Sequence, residues 1–278
     1  MGKPHFFRLL RPTILDSLRY PNRTTYIQER QETTHMYTFN SRVRYSEVDR
    51  SLSLDTASII NYFQDCSTFQ SEDLGVGVEW LKEHHRVWLM NAWQIQIYSA
   101  PKLGDNIRIG TWAYDFKSMY GYRNFLIQNA DGTPAAAANS IWVNVDTETG
   151  RPVKITPEEA DIYPHEPPYP MEYAPRKIAL PEDLIVQEPF SVPRSSLDSN
   201  NHVNNGQYIR MAENYLPEGF SVRQLRAEYR KAAVLGDIIY PGIHRDEHTV
   251  TISLADASGK PYCITEFSDI IPQATAER

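Results

Sequence analysis

Cysteine is nearly absent, with only Cys66 and Cys263 in 278 residues. They form no metal or redox spacing, and two lone thiols suit a reducing compartment better than a disulfide framework. No apolar run approaches the roughly 20 residues of a membrane span, so no stable membrane association is expected. Basic excess is missing too: 28 Lys and Arg stand against 35 Asp and Glu, a net charge of −7. That balance argues against a general nucleic-acid binder, although an acidic protein partner can still use a local basic patch. There is no Gly-x-Ser-x-Gly, so a nucleophile elbow has no support. His84 and His85 are adjacent and point apart on a strand, with no carboxylate–histidine spacing beside them, so no metal is expected. What is present is ordinary for a globular chain, 41% hydrophobic and 23% charged, and long enough for one large domain or two small ones.

Residues 1–35 differ from the rest. They carry Lys3, Arg8, Arg11, Arg19, Arg23 and Arg30 with few acids. The apolar piece Phe6–Leu10 is interrupted by Arg8 and closed by Pro12, too short for a secretory core. The expectation is a poorly ordered extension on a cytoplasmic protein. Arg enrichment leaves a plastid transit peptide as the other reading.

The chain repeats itself. A shift of 149 residues lays Val48-Asp49 on Leu197-Asp198 and Leu54 on Val203. Tyr208, Met211, Ala212, Tyr215 and Leu216 then recur at helical spacing, over Ile59, Tyr62, Phe63, Cys66 and Ser67 in the first copy. Cys66 therefore reads as a small core residue. Asn204 with Gln207 has the spacing of a capping box, and Pro217 with Gly219 closes the helix. A second shift of 132 lays Leu103-Gly104-Asp105 on Leu235-Gly236-Asp237, so the first copy holds 17 extra residues within Glu72–Trp93. Strands are expected at 106–114, 122–129 and 135–145 in the first copy, with an Asp131-Gly132 turn, and at 249–254 and 262–267 in the second. The prolines of 163–185 require an extended connector. Each copy reads as a helix followed by antiparallel strands, and the packing solution is a sheet curled around the helix. The expected fold class is α+β, two such repeats with their sheets edge to edge: residues 36–162, the connector, and 186–278.

The run Asp198-Ser199-Asn200-Asn201-His202-Val203-Asn204-Asn205 concentrates a carboxylate, amides and an imidazole before a helix start. An acid, a base and fixed dipoles suit hydrolysis of an activated carbonyl. A turn and an N-cap favour the same residue types. The first copy separates the readings. It keeps Asp49 but has Ser51 for Asn200 and Ser53 for His202, which a simple cap does not explain.

These residues resemble the acyl-(acyl carrier protein) thioesterases, a double-hotdog family. Asp198 to Asn205 matches the family's D-x-N-x-H-V-N-N, Glu228-Tyr229-Arg230 its E-Y-R, and Arg44 to Asp49 a bacterial-looking start of the first copy. The resemblance implies hydrolysis of the thioester between a fatty acyl chain and the phosphopantetheine arm of acyl carrier protein. It implies no cofactor, and a monomer or homodimer. Asp198, Asn200 and His202 take the catalytic positions. The plant members' acid and cysteine after E-Y-R are replaced by Ala232 and Ala233, which leaves direct attack by water. His202 is then expected as base or proton shuttle, Asp198 as the group that orients the imidazole or as the base itself, and Asn200 as the group that orients water or the carbonyl. Asn204, Trp80, Trp88 and Met90 are candidates for binding substrate, the last three as acyl-pocket lining in the first copy. Arg226, Arg230 and Lys231 are candidates for docking the acidic carrier. Competing readings are a hotdog dehydratase or hydratase on 3-hydroxyacyl or enoyl thioesters, and a non-catalytic acyl-thioester sensor.

Overall fold

The first apolar stripe forms a long helix, α1 (Thr56–Asp73), that buries Ile59, Ile60, Tyr62, Phe63 and Cys66. Asp55 caps it by accepting from the Ser58 N–H at 2.6 Å. It ends where Gly75 turns to φ +75° and the Val76 N–H closes on the Ser71 carbonyl at 2.9 Å. The structure is a computed structural model that describes residues 36–272. The expectations for residues 1–35 lie outside the described residues.

Before α1 runs β1 (Tyr37–Arg42). After it come α2 (Val78–Glu83), β2 (Arg86–Ile97), β3 (Asn106–Lys117), β4 (Tyr120–Asn129), β5 (Pro134–Asp146), β6 (Arg151–Pro152) and α3 (Pro157–Asp161). Beyond the proline-rich stretch follow β7 (Ile185–Val186), β8 (Phe190–Ser191), α4 (Asn205–Glu213), β9 (Gln224–Tyr229), β10 (Ile238–Arg245), β11 (Thr249–Ala255) and β12 (Pro261–Ser268). The strands form one antiparallel sheet in the order β1-β3-β4-β5-β2-β9-β12-β11-β10-β7, with β6 on β5 and β8 on β10. Read from its middle outward, each half repeats the other, and the halves join where β2 pairs antiparallel with β9. That seam leaves neither inner edge unpaired.

The register locates a pseudo-twofold axis. Gln94 pairs with Arg226 at the centre of the β2–β9 seam, and the 132-residue shift relates these same two positions. On the helix side, a Cβ at Gly206 would lie 3.5 Å from the Ala57 carbonyl, and Ala57 and Gly206 are related by the 149-residue shift. The two helices therefore cross antiparallel at their related positions, under a sheet whose inner face buries Trp93, Ile95, Phe125, Leu225, Ala227 and Ile252.

The first half is larger. α1 has 18 residues against 9 in α4, and β2 has 12 against 6 in β9. The extra residues of the first copy are thus spent on two more helical turns, on α2 and on strand length. The stretch between Asp161 and Ile185 forms no helix or regular strand and crosses the outer face of the sheet. Trp112 donates to the Pro167 carbonyl, Gln94 to that of Glu172, and Arg226 to those of Pro175 and Lys177. Among the described residues no helix is long and apolar enough to cross a membrane.

Two sequence expectations change. α4 stops at Glu213, so Tyr215 and Leu216 pack on the core from the turn beyond it. The Asn204–Gln207 capping box does not form; Asn204 caps α4 alone, accepting from the Gly206 N–H at 2.9 Å.

Candidate active site

A carboxylate clasps the loop before α4. Asp198 Oδ1 accepts the backbone N–H groups of Asn200 at 2.8 Å and His202 at 3.2 Å, and the Asp198 N–H donates to the His202 carbonyl. Asn201 sits at φ +59°, a conformation an asparagine tolerates. The loop before α1 has the same frame. Asp49 Oδ1 accepts from the N–H groups of Ser51 and Ser53, the Asp49 N–H meets the Ser53 carbonyl, and Leu52 also lies at φ +59°. Each loop bridges to the residue before its Leu-Gly: Ser53 to Lys102, His202 to Val234.

The frames agree and the side chains do not. In the first loop the positions close on one another: Ser51 Oγ donates to Asp49 and lies 2.7 Å from Ser53 Oγ, which accepts from Lys102 Nζ at 2.6 Å. Burial alone would raise the Asp49 pKa, but the hydrogen bonds from Ser53 and Ser51, with Lys102 nearby, hold it below the ordinary carboxylate value. In the second loop Val234 replaces Lys102. The Asn200 amide and the His202 imidazole are exposed, and neither side chain hydrogen-bonds to another described residue. Asp198 spends Oδ1 on the loop backbone and makes no hydrogen bond to the imidazole, which revises the orienting role expected from the sequence.

Behind this loop the start of α4 is held from two sides. Asn205 Nδ2 donates to Gln64 Oε1 of α1 at 2.9 Å, and the Tyr229 hydroxyl donates to the Asn205 carbonyl at 3.1 Å. The Tyr208 hydroxyl accepts the Ala233 N–H at 2.8 Å. Burial pushes both phenols above their usual range, so they remain neutral here. Gln64 is the residue that sequence reasoning misses. The 149-residue shift places it opposite Glu213, and Glu213 meets Thr56 at the start of α1 as Gln64 meets Asn205 at the start of α4. That correspondence was the available signal.

The other expected residues are dispersed. Trp80, stacked on His84 at 3.8 Å, and Trp88 line one small cavity of about 20 Å³ with Asn144 and Tyr163. That space holds about one water, not an acyl chain. Met90 packs into the main core instead. A larger recess of about 350 Å³ lies in the second half, between β8 and α4, lined by Phe190, Gln207, Arg210, Met211 and Tyr215. Asn204 is occupied as the helix cap, so its oxygen serves the fold. Among the docking candidates Arg226 is spent: its side chain is 15% exposed, pairs with Glu266 at 2.8 Å and holds two connector carbonyls. Arg230 pairs with the buried Glu228, and Lys231 pairs with Asp256 and lies over the Tyr262 ring. Cys66 and Cys263 are both buried, and burial pushes the Cys66 thiol up to about 12.

Comparison with known proteins agrees in extent with this architecture. Residues 34–163 match the family model of the acyl-ACP thioesterase N-terminal domain, and residues 181–260 that of the C-terminal domain. The chain is 24% identical over 218 residues to oleoyl-acyl carrier protein thioesterase 1, chloroplastic, of Arabidopsis thaliana, covering 71% of this chain and 60% of the relative. It is 28% identical over 214 residues to the palmitoyl-acyl carrier protein thioesterase, chloroplastic, of the same plant, covering 69% and 51%. The chain thus spans three fifths or less of the length of these two relatives. An acyl-ACP thioesterase from Bacteroides thetaiotaomicron superposes with a TM-score of 0.77 at 20% identity, over 84% of this chain and 97% of that one. The 12:0-ACP thioesterase from Umbellularia californica does so with a TM-score of 0.75 at 16% identity, over 84% and 96%. These structures share the double-hotdog fold. With both family domains matched in order along most of its length, the chain belongs to the acyl-ACP thioesterase family.

Proposed function

We propose that this protein hydrolyses the thioester joining a fatty acyl chain to the phosphopantetheine arm of acyl carrier protein, releasing the free acid and the carrier thiol. One observation carries the reading. Two loops share one backbone frame, and only the second presents an amide and an imidazole that no other described residue engages. In the first, the equivalent side chains are closed into a serine–lysine network.

The chemistry follows from these positions. A thioester is already activated, so the enzyme must chiefly place water and stabilise the oxyanion. His202 takes a proton from water as the oxygen attacks the carbonyl carbon. The C–S bond breaks from the tetrahedral intermediate, and the imidazolium returns the proton to the departing thiolate. Asn200 orients the water or the carbonyl. A backbone N–H at the start of α4, at the positive end of the helix dipole, polarises the carbonyl oxygen. Asp198 sets the loop that aims Asn200 and His202. The longer strands and helix of residues 36–162 supply the acyl-binding half.

The test is hydrolysis of acyl-carrier thioesters of several lengths, read as free acid, by the protein and by its Asp198→Ala, Asn200→Ala and His202→Ala variants. His202→Ala is expected to lose about 10²- to 10⁴-fold in turnover. A folded His202→Ala protein with near-full turnover overturns the mechanism.

A further inference from the structure

Arg123 lies on the inner face of β4 with 8% of its surface exposed, and it has no carboxylate partner among the described residues. Its Nη1 donates to Gln70 Oε1 of α1 and to Thr111 Oγ1 at 3.2 Å, and its guanidinium lies 5.2 Å from the centre of the Tyr163 ring. Nε and Nη2 donate to no described residue. Glu228, buried to a similar degree, is paired with Arg230. A buried charge without an opposite charge is costly, and proteins seldom keep one without use.

The two halves of the sheet show that the position does not demand a polar group. Across the inner face of the first half, one cross-strand row reads Trp93, Ser140, Arg123. The matching row of the second half reads Leu225, Phe267, Val250, all buried and apolar. The same fold location is core in one repeat and polar in the other. The polar row also holds an unmet donor, since the Trp93 indole Nε1 is buried with no hydrogen-bond partner. Gln70, which meets Arg123, stands on the two helical turns that only α1 possesses.

We propose that the interior of the first half recognises an acyl chain bearing an oxygen substituent far from the thioester, with Arg123 donating to that oxygen and Trp93 as a second donor. This rests on the hydrolysis proposed above. The helix supplies the ruler. Gln64 touches Asn205 beside the reacting loop and Gln70 touches Arg123, six residues and about 9 Å further along α1 at 1.5 Å per residue. The oxygen therefore belongs well down the chain, as in an ω-hydroxy or ω-carboxy acyl group, and not at the carbon next but one to the carbonyl.

The experiment compares kcat/KM for octanoyl and decanoyl carrier thioesters, plain, 3-hydroxylated and ω-hydroxylated. A hydrogen bond to a charged donor predicts roughly tenfold preference for the ω-hydroxy chain and none for the 3-hydroxy chain. In Arg123→Met, which keeps an apolar stem, the preference is expected to vanish or reverse. A preference in the wild-type protein at or below one overturns the proposal without any variant, as does a folded Arg123→Met with an unchanged ratio. Binding of the free plain and ω-hydroxy acids, followed by tryptophan fluorescence, reads the same interior without turnover. Selective binding with no hydrolysis would fault the proposed reaction alone, whereas hydrolysis without selectivity would fault the role of Arg123.

Discussion

Asp198 shows how a residue singled out by its motif can carry a structural duty that the motif does not reveal. Its position before an asparagine and a histidine suggests a catalytic carboxylate, and the resemblance strengthens that. The geometry adds a clasp whose two backbone N–H bonds Asp49 reproduces, with one more from the Ser51 hydroxyl. Replacing either aspartate by alanine removes two accepted N–H bonds to a charged group, so each variant is expected to lose about 1–3 kcal/mol of stability. Only Asp198→Ala is expected to lose turnover as well, because only its loop carries Asn200 and His202. Denaturation midpoints together with acid release check this pair. Equal turnover loss in Asp49→Ala would show that the effect is stability alone. Asn200 and His202 were legible because they are contiguous with the motif. Gln64 was not, because its link to Asn205 crosses between repeats 141 residues apart.

At the scale of elements, the apolar stripe of α1 was readable because tertiary packing and helical period agree there. Strand β10 was obscured by Pro241-Gly242, which reads as a turn; the strand tolerates them near the edge of the sheet, beside the two-residue β7. The antiparallel pairing of the helices has a consequence at their ends. Glu213, half-buried at the end of α4, faces Thr56, Asp55 and Asp49 of the first half and Arg210 of its own helix. Burial first, then the nearby Asp55 and Asp49, push its pKa up to about 7, against the opposing pull of Thr56 and Arg210. The folded protein then holds a proton that the unfolded chain releases, so this group's stabilisation is full below the ordinary glutamate pKa and is lost as pH rises toward 7. Glu213→Gln is expected to remove that slope. The variant should gain about 2 kcal/mol on the wild-type protein between pH 5 and pH 8, measured as the difference in unfolding free energy. Parallel curves would sink the assignment.

For the whole molecule, the question is what holds two repeats and the chain between them as one body. The sheet seam and the α1–α4 contacts, Asn205 with Gln64 and Arg210 with Asp55, do part of it, and the connector adds to them through groups on the outer face of β2 and β9. Gln94 donates to the Glu172 carbonyl and accepts the Ala174 N–H, Glu228 accepts the Ile178 N–H, and Arg226 holds the carbonyls of Pro175 and Lys177. The proline content made an extended connector readable, but no local signal says which strand groups receive it. That is why the basic segment from Arg223 to Lys231 invited a docking role for Arg226. Arg226→Ala would leave Glu266, 25% exposed at its side chain, without its partner, and would free two connector carbonyls. The expected loss is about 2–3 kcal/mol, below the range for a fully buried pair because both groups keep some contact with water. The connector near residues 175–177 should also become cleavable under limited proteolysis while β2 and β9 stay protected. Lys231→Ala, at 52% side-chain exposure, should change neither stability nor cleavage appreciably, whereas Arg230→Ala strips the buried Glu228 of its partner and is expected to cost stability. If Arg226→Ala instead keeps wild-type stability and protease resistance but weakens turnover with acyl carrier protein, Arg226 serves the partner and the connector is held by other contacts.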